Sequence, residues 1–201
     1  MNNCGKLIVL SGPSGVGKST VVSKAMEKRS DICFSTSVTT RSPRPGETDG
    51  KDYFFIDQAR FDAMAANDEL LEHARYVSNS YGTPRAYVEN QLENGMNVVL
   101  DIEIQGAKQI HENKPEAVFV FILPPSLEEL ERRLRSRGTD SDSVIQARLV
   151  RARQEIQEAL FYDYMIVNDE IEKAAEDFVA LIRAEHCRFD RNHVLRLVNN
   201  N

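Results

Sequence analysis

The chain is poor in the residues that build disulfide frameworks, membrane spans and metal clusters. Its 201 residues hold three cysteines, Cys4, Cys33 and Cys187, without a C-x-x-C pair. An odd, scattered set fits neither a disulfide framework nor a four-ligand zinc site, so structural thiols in a reducing cytoplasm are expected. Long apolar runs are missing too: the longest, Ala117 to Leu123, is far below the roughly 20 residues of a spanning helix, and no membrane partner is expected. The N-terminus lacks the basic stretch, apolar run and small-residue cleavage site of a signal peptide, so export is not expected. Tryptophan is absent, and no internal repeat or low-complexity segment is visible. Positive charge is not in excess: Lys and Arg number 25 against 31 Asp and Glu, a net −6, which argues against a general nucleic-acid binder. His73, His111, His186 and His193 have no metal-ligand spacing.

What remains is ordinary globular composition, 41% hydrophobic and 28% charged, at a length that suits one core with excursions. The arginines are clustered. Arg132, Arg133, Arg135, Arg137, Arg148, Arg151 and Arg153 crowd one region, with Arg41 and Arg44 in another. Local cationic sites in an acidic chain suggest a small polyanion as ligand.

Lys6 to Leu10 reads as a strand, followed by a glycine-rich turn and a helix over Ser19 to Lys28. Ser35 to Thr40, Tyr53 to Ile56 and Leu70 to Val77 look like short antiparallel strands, with Asp57 capping a helix that carries Phe61 and Met64. A second helix is expected from Pro84, with Thr83 as N-cap, to a stop at Gly95. Residues 35–94 therefore read as an inserted α+β unit. Asn97 to Asp101 and Ala117 to Leu123 are apolar runs of strand length on either side of a helix, the pattern of a buried parallel sheet. Ser126 and Glu129 form a capping box for a helix running to Arg137 and ended by Gly138. A polar loop then leads to a longer arginine-bearing helix, a strand at Tyr164 to Val167 and a final helix from Ile171 to His186.

Gly12-Pro-Ser-Gly-Val-Gly17-Lys18-Ser19 satisfies G-x-x-x-x-G-K-[ST] between a predicted strand and a predicted helix. Glycines let successive N–H groups turn toward a phosphate, and the helix N-terminus adds partial positive charge. Lys18 would reach the β- and γ-phosphates, and the Ser19 hydroxyl would ligate Mg²⁺. Val98-Val-Leu-Asp101 ends an apolar strand in a carboxylate, where a Mg²⁺-associated acid belongs in P-loop enzymes. As a simple turn or helix cap, the same aspartate would be unremarkable.

Ser37-Val-Thr-Thr-Arg41-Ser-Pro-Arg44-Pro-Gly-Glu-Thr-Asp-Gly-Lys-Asp-Tyr53-Phe-Phe closely resembles the signature of guanylate kinases. The resemblance runs from the P-loop to Ile166-Val-Asn-Asp169, with the segments in the family's order. It implies an α/β fold: a P-loop kinase core with a central parallel sheet flanked by helices, an inserted GMP-binding α+β unit at 35–94, and a helical lid at 126–155. Residues 1–34, 95–125 and 156–201 would form the core. The resemblance implies that MgATP phosphorylates GMP, and dGMP, in purine metabolism. The ATP contacts would be Gly12, Pro13, Ser14, Gly15, Val16, Gly17, Lys18, Ser19, Thr20, Arg133 and Asn168. Arg41, Arg44, Tyr53 and Tyr81 would clamp the GMP phosphate. Ser37, Glu72 and Thr83 would read guanine, and Asp101 would serve the magnesium or the substrate. Metal contact would fall to Ser19 and Asp101, the latter directly or through water.

These roles make chemical sense by themselves. Guanidinium groups take phosphate oxygens bidentately, and one carboxylate can accept both N1–H and N2–H of guanine, an arrangement adenine leaves short of donors. Lys18, Arg41, Arg137 and Arg148 are the expected catalytic cations, with Arg133 and Arg137 at i, i+4 on one helical face. Arg132, Arg135 and Arg151 are expected in surface ion pairs with neighbouring acids. Asn168 could lie near ATP or only cap the next helix. No general base is required, because a phosphate monoester with a second pKa of about 6 is already anionic at neutral pH. Two other readings stay open, a kinase of another small phosphate such as a phosphorylated ribose, and a silent module that binds phosphorylated peptides. A homo-oligomer is also compatible.

Overall fold

A computed structural model describes residues 4–76, 78–136, 138, 140–189, 195 and 198. In chain order it begins β1 (Leu7–Ser11), α1 (Lys18–Lys28), β2 (Ile32–Phe34), β3 (Val38–Thr39), β4 (Phe54–Phe55) and α2 (Gln58–Ala66). Then come β5 (Leu70–Tyr76), β6 (Asn79–Pro84), α3 (Arg85–Glu93), β7 (Asn97–Asp101), α4 (Ile104–Asn113) and β8 (Val118–Leu123). The last elements are α5 (Leu127–Ser136), α6 (Asp142–Glu158), a 3₁₀ turn at Ala159–Phe161, β9 (Tyr164–Val167) and α7 (Ile171–His186).

Among the described residues the core is a five-stranded parallel sheet in the order β2-β7-β1-β8-β9. Its strands are apolar on both faces because helices cover both. Ile8, Leu10, Val120 and Ile122 pack with Val21 and Val22 of α1 and Phe178 and Ile182 of α7. Val9, Val98, Leu100 and Phe119 face the other way, onto Val88 of α3 and Ala107 and Ile110 of α4. β1, β7, β8, β9 and the flanking helices are those the sequence pattern predicts, whereas the edge strand β2, only three residues long, is not.

The remaining structure flanks the carboxyl end of this sheet, where open α/β sheets bind ligands. A four-stranded sheet, β4-β3-β6-β5, buries Val38 and Leu70 against Phe61 and Met64 of α2. Its pairing is mixed, since β3 and β4 run parallel while the other pairs are antiparallel; the all-antiparallel expectation is corrected here. Two-residue strands are too short to carry a readable alternation. α5 and α6 pack together through Leu130, Leu134, Ile145 and Leu149.

Helix starts follow local chemistry. Asp57 accepts from the Arg60 N–H at 2.7 Å, as its position predicts. At α5 the Ser126 hydroxyl accepts from the Glu129 N–H at 3.1 Å, but the Glu129 carboxylate goes to Arg132 and Arg133, so only half of the capping box forms. Thr83 is not the cap of α3. That place belongs to Pro84, and Thr83 ends up buried in β6 with its hydroxyl engaged elsewhere. No helix among the described residues is long and apolar enough to cross a membrane.

Candidate functional site

β1 ends at Ser11 and the chain enters the loop Gly12 to Gly17, with φ of 151° at Gly12, 94° at Gly15 and 92° at Gly17. These are values that side chains resist. Space forbids a side chain as well: a Cβ on Gly12 would meet the Ile122 carbonyl at 2.4 Å, and one on Gly17 the Asn168 amide nitrogen at 2.7 Å. Gly17 is the N-cap of α1, so the loop's N–H groups and the helix N-terminus share one side. Lys18 Nζ donates to Gly12 O at 2.8 Å. It also lies 3.6 Å from Asp101, which ends β7 in register with Leu10. Desolvation pushes the Asp101 pKa up, and Lys18 pulls it back down. Ser19 is exposed in the first turn of α1. Its hydroxyl and the Asp101 carboxylate are the hard oxygen donors Mg²⁺ takes, and a phosphate-bound Mg²⁺ needs only one or two protein groups.

Beside the loop opens a cavity of about 310 Å³. Ser11, Gly12, Lys18, Asp101 and Glu155 line one part, and Ser37, Tyr53, Glu72, Tyr81 and Gly82 line another. Glu72 is buried at 6% exposure and accepts from the Thr83 hydroxyl at 2.7 Å; Thr83 is fully buried. Burial pushes the Glu72 pKa up, and the Thr83 bond acts against it. Arg41 gives two bonds of 2.9 Å to Glu47, and its guanidinium lies 5.4 Å from the Tyr53 ring and 5.7 Å from the Phe55 ring. Arg41 holds Glu47 below the usual carboxylate range, with help from the Arg44 backbone N–H at 2.7 Å. Arg44 itself is exposed on the loop. Burial pushes the Tyr53 hydroxyl up.

α5, α6 and the loop between them meet the P-loop from the other side. Arg148 donates to Ser14 Oγ at 2.9 Å and lies 3.4 Å from Asp140. Arg133 bonds Glu129 at 2.7 Å and the Asn168 carbonyl at 3.0 Å. Arg137 lies outside the described residues. Arg132, Arg135 and Arg151 sit in ion pairs with Glu129, Glu131 and Glu155, as expected. Asn168 does not cap α7, whose N-cap is Glu170. Its buried amide instead donates to the Val16 carbonyl at 2.7 Å, tying the β9 end to the P-loop.

Three residues escape the sequence reading. Glu47 holds Arg41, and its only signal is an acid six positions on in the arginine motif. Glu155 lines the cavity, with its pKa raised by burial. Gly106 lines it from α4, with no sequence signal beyond a glycine inside a helical pattern.

Comparison with known proteins gives one answer. The guanylate kinase family model matches residues 4–185. The chain is 50% identical over 187 residues to a guanylate kinase of Oceanobacillus iheyensis, covering 93% of this chain and 91% of that one. It is 53% identical over 193 residues to one from Streptococcus thermophilus, covering 95% and 92%. A crystal structure of guanylate kinase from Anaplasma phagocytophilum superposes with a TM-score of 0.72 at 40% identity, covering 91% of this chain and 87% of that one. The family model spans nearly the whole length and the relatives share about half of the residues, and the chain belongs to the guanylate kinase family.

Proposed function

We infer that the chain transfers the γ-phosphoryl group of ATP to GMP, and to dGMP, releasing ADP and the nucleoside diphosphate. The observation that carries this is one cavity lined both by Lys18 and Asp101 of the P-loop side and by Ser37, Tyr53, Glu72 and Tyr81, with Thr83 holding Glu72 from behind. A GMP phosphate oxygen attacks the γ-phosphorus, the bond to the β–γ bridging oxygen breaks, and ADP leaves with that electron pair. The work of the protein is positioning and charge neutralisation.

In this reading the N–H groups of Gly12 to Thr20 and the Lys18 ammonium hold the ATP phosphates. Arg133 and Asn168 support the adenine-nucleotide side. Glu72 accepts from guanine N1–H and N2–H with the lone pairs Thr83 leaves open, and Ser37 donates to O6. Arg41, Arg44, Tyr53 and Tyr81 take the GMP phosphate, with Glu47 orienting Arg41. Arg137 and Arg148 close over the migrating group. Ser19 and Asp101, the latter directly or through water, would hold a Mg²⁺ ion whose charge offsets that of the phosphates. Residues 35–94 act as the GMP-binding unit and 126–155 as the lid. The three free cysteines support a cytoplasmic setting, and guanine nucleotides as substrate and product put the reaction in purine metabolism.

A coupled assay of ADP release with GMP, dGMP, AMP, CMP and UMP tests the reading. Rapid turnover of GMP and dGMP alone is expected, and comparable rates with AMP would overturn the guanine assignment.

A further inference from the structure

We propose that Gly106 and Gln109, which stand at i, i+3 on α4, are positioning residues that fix the Glu72 carboxylate for the base. The inference rests on the reading of Glu72 as the guanine acceptor. It begins with an irregularity in β5. Leu70 pairs with Pro84, but His73 pairs with Gly82, so β5 spends one more residue than β6 over the same stretch. That extra residue is a β-bulge, which re-aims side chains. Regular alternation would bury only one of two neighbours. Here three in a row go inward: Leu70 into the core of the insertion, Leu71 into the core beside α4, and Glu72 toward the cavity.

A bulged edge strand needs outside support, and α4 supplies it in two ways. The side-chain amide of Gln109 accepts from His73 N–H at 3.1 Å and donates to the His73 carbonyl at 2.9 Å, replacing a missing neighbour strand at the residue after Glu72. One turn earlier, Gly106 leaves bare helix against the acid itself. A Cβ there would meet Glu72 Oε2 at 2.5 Å and its Cδ at 3.1 Å. Thr83 holds the other oxygen, so the carboxylate is fixed at both ends, by a hydroxyl on Oε1 and by a glycine-sized gap at Oε2. Alanine favours a helix interior over glycine, so helix propensity offers no reason for glycine here. The gap fits the acid's position.

Steady-state kinetics with GMP and IMP test this on the full chain. IMP keeps N1–H and O6 but lacks the 2-amino group, so the GMP-over-IMP preference reads the placement of the carboxylate. Gly106→Ala should raise the GMP KM by about 10- to 100-fold, the range for a misplacement near 1 Å, and lower the GMP-over-IMP preference, with ATP affinity by calorimetry unchanged. Gln109→Ala should act in the same direction and carries the test if Gly106→Ala fails to bind ATP. Placed on Glu72→Ala, either change should do nothing further to the preference. If Glu72→Ala alone keeps the preference, the guanine reading falls and this inference with it. If Glu72→Ala loses it while Gly106→Ala and Gln109→Ala keep it, only the inference falls. Equal losses from Gly106→Ala with and without Glu72 would likewise overturn it, since the effect would not pass through the acid.

Discussion

Glu72 shows at the scale of one residue how binding and stability oppose each other. A buried carboxyl whose pKa is raised binds its proton more readily in the folded chain than in the unfolded one. Its favourable contribution is therefore complete below the unfolded value and is lost as pH rises through the folded one. Above the unfolded value the empty protein bears the cost of keeping this acid buried, a cost that guanine's two donors would offset in the proposed reading. Glu72→Gln should accordingly do two opposite things. GMP binding should weaken by ~1–3 kcal/mol in calorimetry, and the ligand-free Tm should rise at neutral pH, with the gain fading as pH falls into the acid's titration range. A Tm gain independent of pH would sever this link. In the proposed reading Lys18 belongs to the other substrate. Lys18→Ala should cut kcat by about 100-fold or more while GMP titrates as before, because the ammonium faces the P-loop and Asp101 rather than the Glu72–Thr83 pair. Both residues were legible in the sequence, one from a motif and one only through family resemblance. The bulge that aims Glu72 and the carboxylate of Glu47 that captures Arg41 were not, since neither repeats with any period.

Among the elements, those with long apolar runs or caps were readable: β1, β7, β8, the Asp57 cap of α2 and the length of α7 all follow from local pattern. What escaped depends on partners far along the chain. Thr83 has a good capping side chain, but Glu72 across the sheet takes its hydroxyl, and Pro84 becomes the cap by default. Asn168 and Val16 stand 152 positions apart, so nothing local reports their bond. That bond makes the loop after β9 a back wall for the P-loop. Asn168→Ala should leave the Val16 carbonyl unpaired in a buried place, at a cost of ~1–3 kcal/mol. Thermal melting should show the loss, and titrations should show weaker ATP binding with GMP binding retained. Equal weakening of both nucleotides would mean that the brace serves the whole cavity.

For the whole molecule, the acidic net charge and the arginines beside the cavity, Arg41 against Tyr53 and Arg148 on Ser14, act together. Two polyanionic substrates must meet in a space flanked by the insertion on one side and α5 and α6 on the other, while Arg148 already reaches Ser14. Simultaneous binding of ATP and GMP, or of a linked two-nucleotide analogue, should draw the insertion toward the core, a hinge closure that excludes water during transfer. Solution X-ray scattering should show a smaller radius of gyration for the doubly liganded protein, and superimposable profiles would contradict closure. The parallel sheet carries a further consequence, for the order in which the protein comes into being. β1 finds β7 only after the insertion between them has been made, with Leu7 beside Val98, and the Asn168 brace arrives later still. At synthesis rates of about 5–20 residues per second, the P-loop leaves the ribosome roughly 8–30 s before the residue that backs it. The nascent chain thus carries its nucleotide motif through most of its own synthesis without a site, and the affinity for ATP that stabilises the finished protein is not available to guide its folding.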